Sequence, residues 1–127
     1  MNQFVLLTGC FYGALAIILG AFAAHSLKNK TTPKLLKSFE TGVKYQMYHA
    51  LLLLYMGRNF HYDSPYETYA SQGIVLGTFL FSFSIYGLVL SATKQRTIKI
   101  LGPITPIGGL CLLAGWILIA LNYLSVL

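Results

Sequence analysis

Charged residues are scarce in this sequence. Aspartate, glutamate, lysine and arginine make up 9% of its 127 residues, and only three of these are acidic. A soluble domain carries about 25% charged residues. The hydrophobic fraction is 56% and the mean hydropathy is +0.66. This composition excludes an ordinary soluble domain and predicts an integral membrane protein. The length predicts a single domain over residues 1–127.

Catalytic and cofactor-binding motifs are also lacking. The two cysteines, Cys10 and Cys111, lie in separate apolar runs, where they form neither a disulfide framework nor a metal-binding spacing. No CxxCH motif, HExxH motif, nucleotide-binding loop or Ser/His/Asp set is evident. We therefore predict no metal site, no cofactor and no catalytic residue. We attribute the net charge of +6 to membrane topology and contact with anionic headgroups, and not to nucleic-acid binding.

Four long helical patterns account for almost the whole chain. About 20 apolar residues cross the hydrocarbon layer of a bilayer. Threonine or serine followed by proline starts the second, third and fourth patterns, with Thr105 as the N-cap of the fourth. Ser64 and Glu67 predict a capping box. The fold class is therefore all-α, an integral membrane four-helix bundle. Its helices are predicted at about 4–25, 33–58, 65–92 and 106–126.

The basic residues are concentrated in two of the three connections. The connection between helices two and three has only Arg58, which Asp63 and Glu67 offset. By the positive-inside rule, the other two connections lie in the cytoplasm and both termini lie on the periplasmic side of a bacterial inner membrane. The basic residues at these two connections are Lys28, Lys30, Lys34 and Lys37, and Lys94, Arg96 and Lys99.

Small residues recur along the first and third helices at spacings of three or four. Such faces let two membrane helices approach closely. We interpret them as helix-packing faces, which favours a module that packs against itself or against a larger membrane complex. The glycines concerned are Gly9, Gly13 and Gly20 in the first helix, and Gly73 and Gly77 in the third.

A polar cluster interrupts the second helix. Its members form two stripes: Glu40, Lys44 and Tyr48 on one face, and Tyr45, Gln46 and His49 on another, broader face. Ionisable residues near a bilayer are costly and often functional. In the simpler interpretation, the glutamate and the lysine neutralise each other near the interface while the lysine extends its ammonium group towards water.

Two histidines, His49 and His25, also have alternative interpretations. His49 is either a neutral residue that bonds to another helix, or a proton-handling residue or a haem or metal ligand. His25 lies at the end of helix one and at a different depth, which argues against a haem held by both. We predict instead that His25 contacts Glu40 or Tyr45, and that Trp116 packs inward.

Four strings carry a family resemblance: GAFAAHSL at 20–27, FETGVKYQMYHALLLL at 39–54, FSFSIYGLVL at 81–90, and LGPITPIGG followed by Gly115-Trp116. In this order, the chain resembles the YgdD/YwdK-like family of small bacterial membrane proteins (DUF 423), which has a eukaryotic transmembrane relative. The resemblance implies a four-helix inner-membrane protein and no assigned reaction. The chain departs from the family at Ala23, Gly42 and Phe83, and the last places a bulky ring at a predicted helix contact.

Two functional hypotheses follow. The first is a small, non-enzymatic polytopic protein whose partners are the lipid bilayer and either a second copy or another membrane protein. The alternative is a site for protons, quinones or another small molecule, or a transport subunit, that uses the polar cluster of helices one and two.

Overall fold

Four long helices without a strand form the computed structural model, which describes residues 1–127. A short 3₁₀ helix, Leu27–Asn29, connects the first two. The third helix runs without a break through three segments that differ in hydrogen bonding. The long helices are α1 (Gln3–His25), α2 (Pro33–Asn59), α3 (Pro65–Thr93) and α4 (Leu101–Ser125).

Side chains cap the first three helices. The Oδ1 atom of Asn2 accepts a hydrogen bond from the backbone N–H of Val5 at 3.2 Å, and Thr32 caps α2 in the same way. Ser64 accepts from the N–H of Tyr66. The capping box predicted with Glu67 is not formed. The glutamate instead reaches past Ser64 to the N–H of Tyr62, whose backbone turns into the left-handed region.

Helix α4 begins at Leu101, earlier than the sequence pattern predicts. Pro103 lies in its first turn, where the missing N–H would have had no acceptor within the helix. Pro106 lies inside the helix and removes one hydrogen bond of the helix. Thr105 is therefore not an N-cap. Its hydroxyl lies 2.6 Å from that of Ser84 and links α4 to α3.

The middle of α3 is a π-helical segment, Phe79–Phe83, between two α-helical segments. A π turn accommodates an extra residue and is frequent at functional sites. The hydroxyl of Thr78, directly before it, is buried without a hydrogen-bond partner. Nothing in the apolar pattern of the sequence predicts this segment, because a single π turn leaves the helix continuous.

The helices form two antiparallel hairpins, α1 with α2 and α3 with α4, which meet where α3 packs against α2 and α1. No Cα atom of α4 lies within 8 Å of one in α1 or α2. The backbones of α1, α2 and α3 therefore pack together, whereas the backbone of α4 packs against α3 alone and α4 reaches α2 through side chains. The buried apolar side chains include Phe39, Leu53, Met56 and Ile74.

Three helices are long and apolar enough to cross a membrane: α1 with its 3₁₀ extension, α3 and α4. Helix α2 is not among them, because lysines and a glutamate occupy its first half. The all-helical fold class and the four long helices agree with the prediction. By length and composition, three of the four helices qualify as spans.

Candidate functional site

A fully buried glutamine connects three helices. Gln46 of α2 donates a hydrogen bond from Nε2 to the backbone carbonyl of Tyr12 in α1, at 2.8 Å. Its Oε1 accepts a hydrogen bond from the hydroxyl of Tyr86 in α3, at 2.7 Å. Both ends of the amide are therefore satisfied inside the protein, as a buried polar group requires.

Further buried hydrogen bonds surround this glutamine. Ser82, in the π-helical segment, donates to the backbone carbonyl of Gly42 at 2.7 Å, and the Tyr12 hydroxyl donates to a backbone carbonyl of α3 at 2.8 Å. A Cβ atom at Gly42 would lie only 2.8 Å from the ring of Tyr86. The glycine is thus needed for the tyrosine to reach its position. We call Tyr12, Gln46, Ser82 and Tyr86 the polar core.

His49 has a hydrogen-bond partner at each ring nitrogen. Its Nε2 lies 3.2 Å from the indole nitrogen of Trp116 in α4, and its Nδ1 lies 2.7 Å from the carbonyl of Tyr45. An indole N–H is only a donor, so Nε2 accepts and Nδ1 carries the proton. This is a neutral histidine bonded to another helix. Both ring nitrogens are thus engaged in hydrogen bonds within the protein.

Trp116 does not pack inward as the sequence suggested. Its side chain is 49% exposed, and the indole reaches His49 with the two rings inclined at 72°. The indole therefore lies at the edge of the contact between α2 and α4, partly exposed. A second contact between α2 and α4 joins the hydroxyls of Tyr55 and Tyr123 at 3.0 Å.

The predicted contact between His25 and α2 is not made. The His25 side chain is exposed and has no hydrogen-bond partner among Glu40 and Tyr45. At this end of the hairpin, the space between α1 and α2 is filled by Phe22 and Phe39, whose ring centroids are 5.8 Å apart. The histidine consequently projects outward.

The first polar stripe of α2 also faces outward. Glu40 and Lys44 are exposed and do not form an ion pair, and Tyr48 is 56% exposed. The second stripe divides, because Gln46 and His49 are buried whereas Tyr45 remains 40% exposed. The structure thus separates the predicted cluster into an inner part and an outer part.

A second polar group lies at the end of the molecule where the connection between α2 and α3 meets the last turns of α4. The buried carboxylate of Glu67 accepts from the N–H of Tyr62 at 2.7 Å and from the side-chain amide of Asn122 at 3.3 Å. The Tyr62 hydroxyl bonds to Ser71. Burial, and to a smaller extent the nearby glutamate, raise the pKa of Tyr62. No local sequence pattern predicts this group, because Asn122 lies 55 residues beyond Glu67 in the chain.

The predicted packing glycines all face a neighbouring helix of the same chain. A Cβ atom at Gly9 would lie 3.0 Å from a backbone oxygen of α2, and one at Gly77 would lie 2.8 Å from a backbone nitrogen of α4. Gly73 is nearly as close to α4, whereas Gly13 and Gly20 leave ordinary contact distances. The glycine faces are therefore used within the chain. Five further glycines in close contacts were not predicted: Gly42, Gly57, Gly87, Gly108 and Gly115.

Comparison with known proteins identifies the family. Residues 19–109 match the family described as "Protein of unknown function (DUF423)". The chain belongs to the DUF423 family. This confirms the resemblance, and the DUF423 relatives are named membrane proteins. No solved structure matches the chain.

Three DUF423 relatives cover most of the chain. UPF0382 membrane protein YwdK of Bacillus subtilis is 40% identical over 129 residues, which covers 98% of this chain and 100% of the relative. UPF0382 membrane protein SH2409 of Staphylococcus haemolyticus is 38% identical over 122 residues, covering 96% and 95%. The fission yeast relative C1782.12c, from Schizosaccharomyces pombe, is 39% identical over 105 residues, covering 82% and 87%. The chain is therefore a membrane protein of an uncharacterised family.

Proposed function

We propose that all four helices span the bacterial inner membrane, with both termini on the periplasmic side. Helix α2 packs antiparallel along α1. Gly57 of α2 lies beside Leu6 of α1, and Val43 of α2 lies beside Gly20 of α1. It therefore shares the depth of a helix that is apolar enough to span. The basic connections both lie at one end of the helices, which supports their placement in the cytoplasm.

Reporter fusions test this topology. A fusion after Leu127 is expected to be active with a periplasmic reporter, whereas fusions at Lys30 and Arg96 are expected to be active with a cytoplasmic reporter. A fusion at His61, in the third connection, provides a matched periplasmic position. Cytoplasmic activity of the fusions at Leu127 and His61 would contradict the proposed orientation.

We further propose that the protein is a non-enzymatic module that associates with a second copy of itself through the outer face of α2. We define this face as Glu40, Lys44, Tyr48, Leu51 and Tyr55. At 100° per residue these five positions fall within one narrow sector, and all five side chains are exposed. The glycine faces do not serve this purpose, because they are already occupied within the chain.

The observation that carries this proposal is an unpaired charge of each sign on the outer face. Lys44 lies eleven residues beyond the start of α2, roughly 16 Å along its axis. A charged side chain at the centre of a membrane helix costs about 2.5–3.5 kcal/mol on insertion scales. Partners that neutralise the charges reduce this cost.

A second copy supplies both partners at once. A two-fold interface brings the same surface of each copy together, so that a contact from Glu40 to Lys44 occurs twice. The Tyr48 hydroxyl can donate a hydrogen bond across the same interface. The small-molecule hypothesis has less support, because its residues do not converge: Gln46 and His49 are buried, whereas His25 and the outer face are exposed.

Cysteine cross-linking tests the interface. In a background in which Cys10 and Cys111 are alanine, the variant Tyr48→Cys is expected to form a disulfide-linked dimer in membranes. The control Ala14→Cys, on an exposed part of α1, is expected to remain monomeric under the same oxidation.

Charge-reversal variants provide a second test of the proposed interface. Glu40→Lys is expected to reduce cross-linking at position 48 severalfold, because it places like charges opposite one another. Adding Lys44→Glu reverses both charges and is expected to restore the dimer. Equal cross-linking at positions 14 and 48, or indifference to the charge reversal, would refute the proposed interface.

A further inference from the structure

A shallow pocket of about 350 Å³ lies beside the last turns of α3, where the connection to α4 begins. Two of the side chains that line it are basic, and none of the polar-core residues is among them. The pocket is therefore a separate site that combines positive charge with apolar wall. Its lining consists of Gly87, Leu90 and Ser91 of α3, and Lys94, Arg96 and Ile98 of the connection.

Three hydrogen bonds from backbone N–H groups fix the turn that carries the two basic residues. Gln95 adopts a left-handed conformation with φ 57°, and its N–H donates to the carbonyl of Ala92 at 3.0 Å. The N–H of Arg96 donates to the carbonyl of Ser91 at 2.9 Å. These two bonds close a helix at its carboxyl end. The N–H of Ile98 then donates to the Ser91 hydroxyl oxygen at 3.2 Å. The chain thus turns back against α3, which brings both basic side chains to one pocket.

The helix end does not require these cations. Basic side chains near the carboxyl end of a helix often bond to its free carbonyl groups. Here the carbonyls of Leu90, Ser91 and Ala92 already accept backbone N–H groups. The negative end of a helix dipole is equivalent to roughly half an elementary charge. The charges of Lys94 and Arg96 exceed this, so the pocket keeps a positive charge.

The charge of the pocket favours an anion. No acidic residue lines it, and Asp63 and Glu67 lie at the other end of α3. The side chains of Lys94 and Arg96 are both exposed and therefore accessible to a ligand. Arginine can bind two phosphate oxygens at once, whereas lysine acts as a point charge. The two side chains together suit a phosphate group.

The apolar part of the pocket extends from the cations towards the middle of α3. Leu90 and Gly87 precede Lys94 by four and seven residues, roughly 6 and 10 Å along the helix axis. The Leu90 side chain is 36% exposed. A ligand that covers the whole pocket is therefore anionic at one end and apolar next to it. Free phosphate would leave the apolar part uncovered.

We propose that this pocket binds one anionic phospholipid through its phosphate. The phosphate oxygens accept hydrogen bonds from Lys94 and Arg96, and the adjoining acyl chain lies against Leu90 and Gly87. A zwitterionic lipid fits less well, because its ammonium group would lie close to two cations. Basic residues beside membrane helices are a recognised way to hold anionic headgroups on the cytoplasmic side. The choice of the cytoplasmic leaflet rests on the proposed topology, whereas binding in detergent does not depend on it.

Lipid counting by native mass spectrometry tests the site. The full chain is purified in mild detergent, stripped of lipid, and titrated separately with phosphatidylglycerol and phosphatidylcholine. We expect an affinity for phosphatidylglycerol at least tenfold higher than that for phosphatidylcholine. Lipids are counted per chain in monomers and in dimers, so the result does not depend on the proposed interface of α2. Equal affinities for the two lipids would overturn the proposal.

A pair of matched double variants locates the binding. Lys94→Gln with Arg96→Gln removes both charges from the pocket and is expected to lower phosphatidylglycerol affinity at least tenfold. Lys28→Gln with Lys30→Gln removes two exposed charges from the other basic connection, and neither residue lines the pocket. This control is expected to retain its affinity within about twofold. All four side chains are exposed, so both variants are expected to fold, as checked by their melting temperatures. Equal losses in the two variants would refute this location.

A soluble competitor distinguishes a lipid from free phosphate. Glycerol 3-phosphate carries a phosphate group without acyl chains. In large excess, it is expected to leave phosphatidylglycerol bound, because it cannot cover the apolar part of the pocket at Leu90 and Gly87. Displacement of the lipid by glycerol 3-phosphate would show that the phosphate alone is recognised, and would overturn the assignment to a phospholipid.

Discussion

Replacement of Gly108 with alanine is expected to lower the free energy of unfolding by about 1–3 kcal/mol, the usual cost of forcing extra atoms into a packed core. A Cβ atom at this position would collide with the backbone nitrogen of Phe81 and lie 2.8 Å from the carbonyl carbon of Leu80. Backbone cannot rotate away as a flexible side chain can. The substitution must therefore separate α3 from α4 at the π-helical segment.

The adjacent glycine is a matched control. A Cβ atom at Gly109 would meet only the ring of Phe81, at an ordinary distance of 3.8 Å. Gly109→Ala is expected to be neutral or to stabilise by up to about 1 kcal/mol, because alanine favours a helix over glycine. Unfolding in mixed detergent micelles measures both variants. Equal stability of Gly108→Ala and Gly109→Ala would show that the helices do not cross at Gly108.

Replacement of Gln46 with leucine is expected to destabilise the protein by about 1–3 kcal/mol, the cost of leaving a buried polar group unpaired. The substitution retains an apolar side chain of similar size. However, the Tyr86 hydroxyl loses its acceptor, and the carbonyl of Tyr12 loses a donor. The same denaturation measurement applies. Gln72→Leu, which alters an exposed glutamine of α3, should change stability by less than about 0.5 kcal/mol.

A double-mutant cycle separates the hydrogen bond from the packing. Tyr86→Phe removes the hydroxyl that Gln46→Leu leaves unpaired, so the combined variant is expected to be more stable than the sum of the two single effects predicts. Coupling energies between membrane helices average about 0.6 kcal/mol and reach about 1.7. A coupling energy indistinguishable from zero would contradict a functional hydrogen bond between the two side chains.

Much of the helical architecture follows from local sequence. Proline after threonine or serine marks the starts of α2 and α3, and an apolar pattern of sufficient length defines each helix. The start of α4 is different, because Thr105-Pro106 imitates a helix start inside a helix that has already begun at Leu101. A proline near the amino-terminal end removes few hydrogen bonds, so the helix continues through it.

The contacts of the candidate site could be predicted from the sequence only in part. Periodicity correctly separates Glu40 and Lys44 from Gln46 and His49, because the two pairs lie on different sides of α2. It does not reveal which side faces inward when both are polar. That choice depends on partners far along the chain, such as the indole of Trp116, 67 residues beyond His49. The same limitation hid the contacts of Glu67.

The separation of α4 from the first two helices bears on the order in which the protein assembles. Each hairpin completes its closest backbone contacts, such as those at Gly9 and Gly77, between helices that are consecutive in the chain. During synthesis, α1 and α2 can pack before α3 has left the ribosome, and α4 makes its close backbone contacts with the helix made directly before it. Contacts of low sequence separation form quickly. The chain can thus insert as two successive pairs, and the glutamine-centred polar core then joins the pairs once α3 is in place.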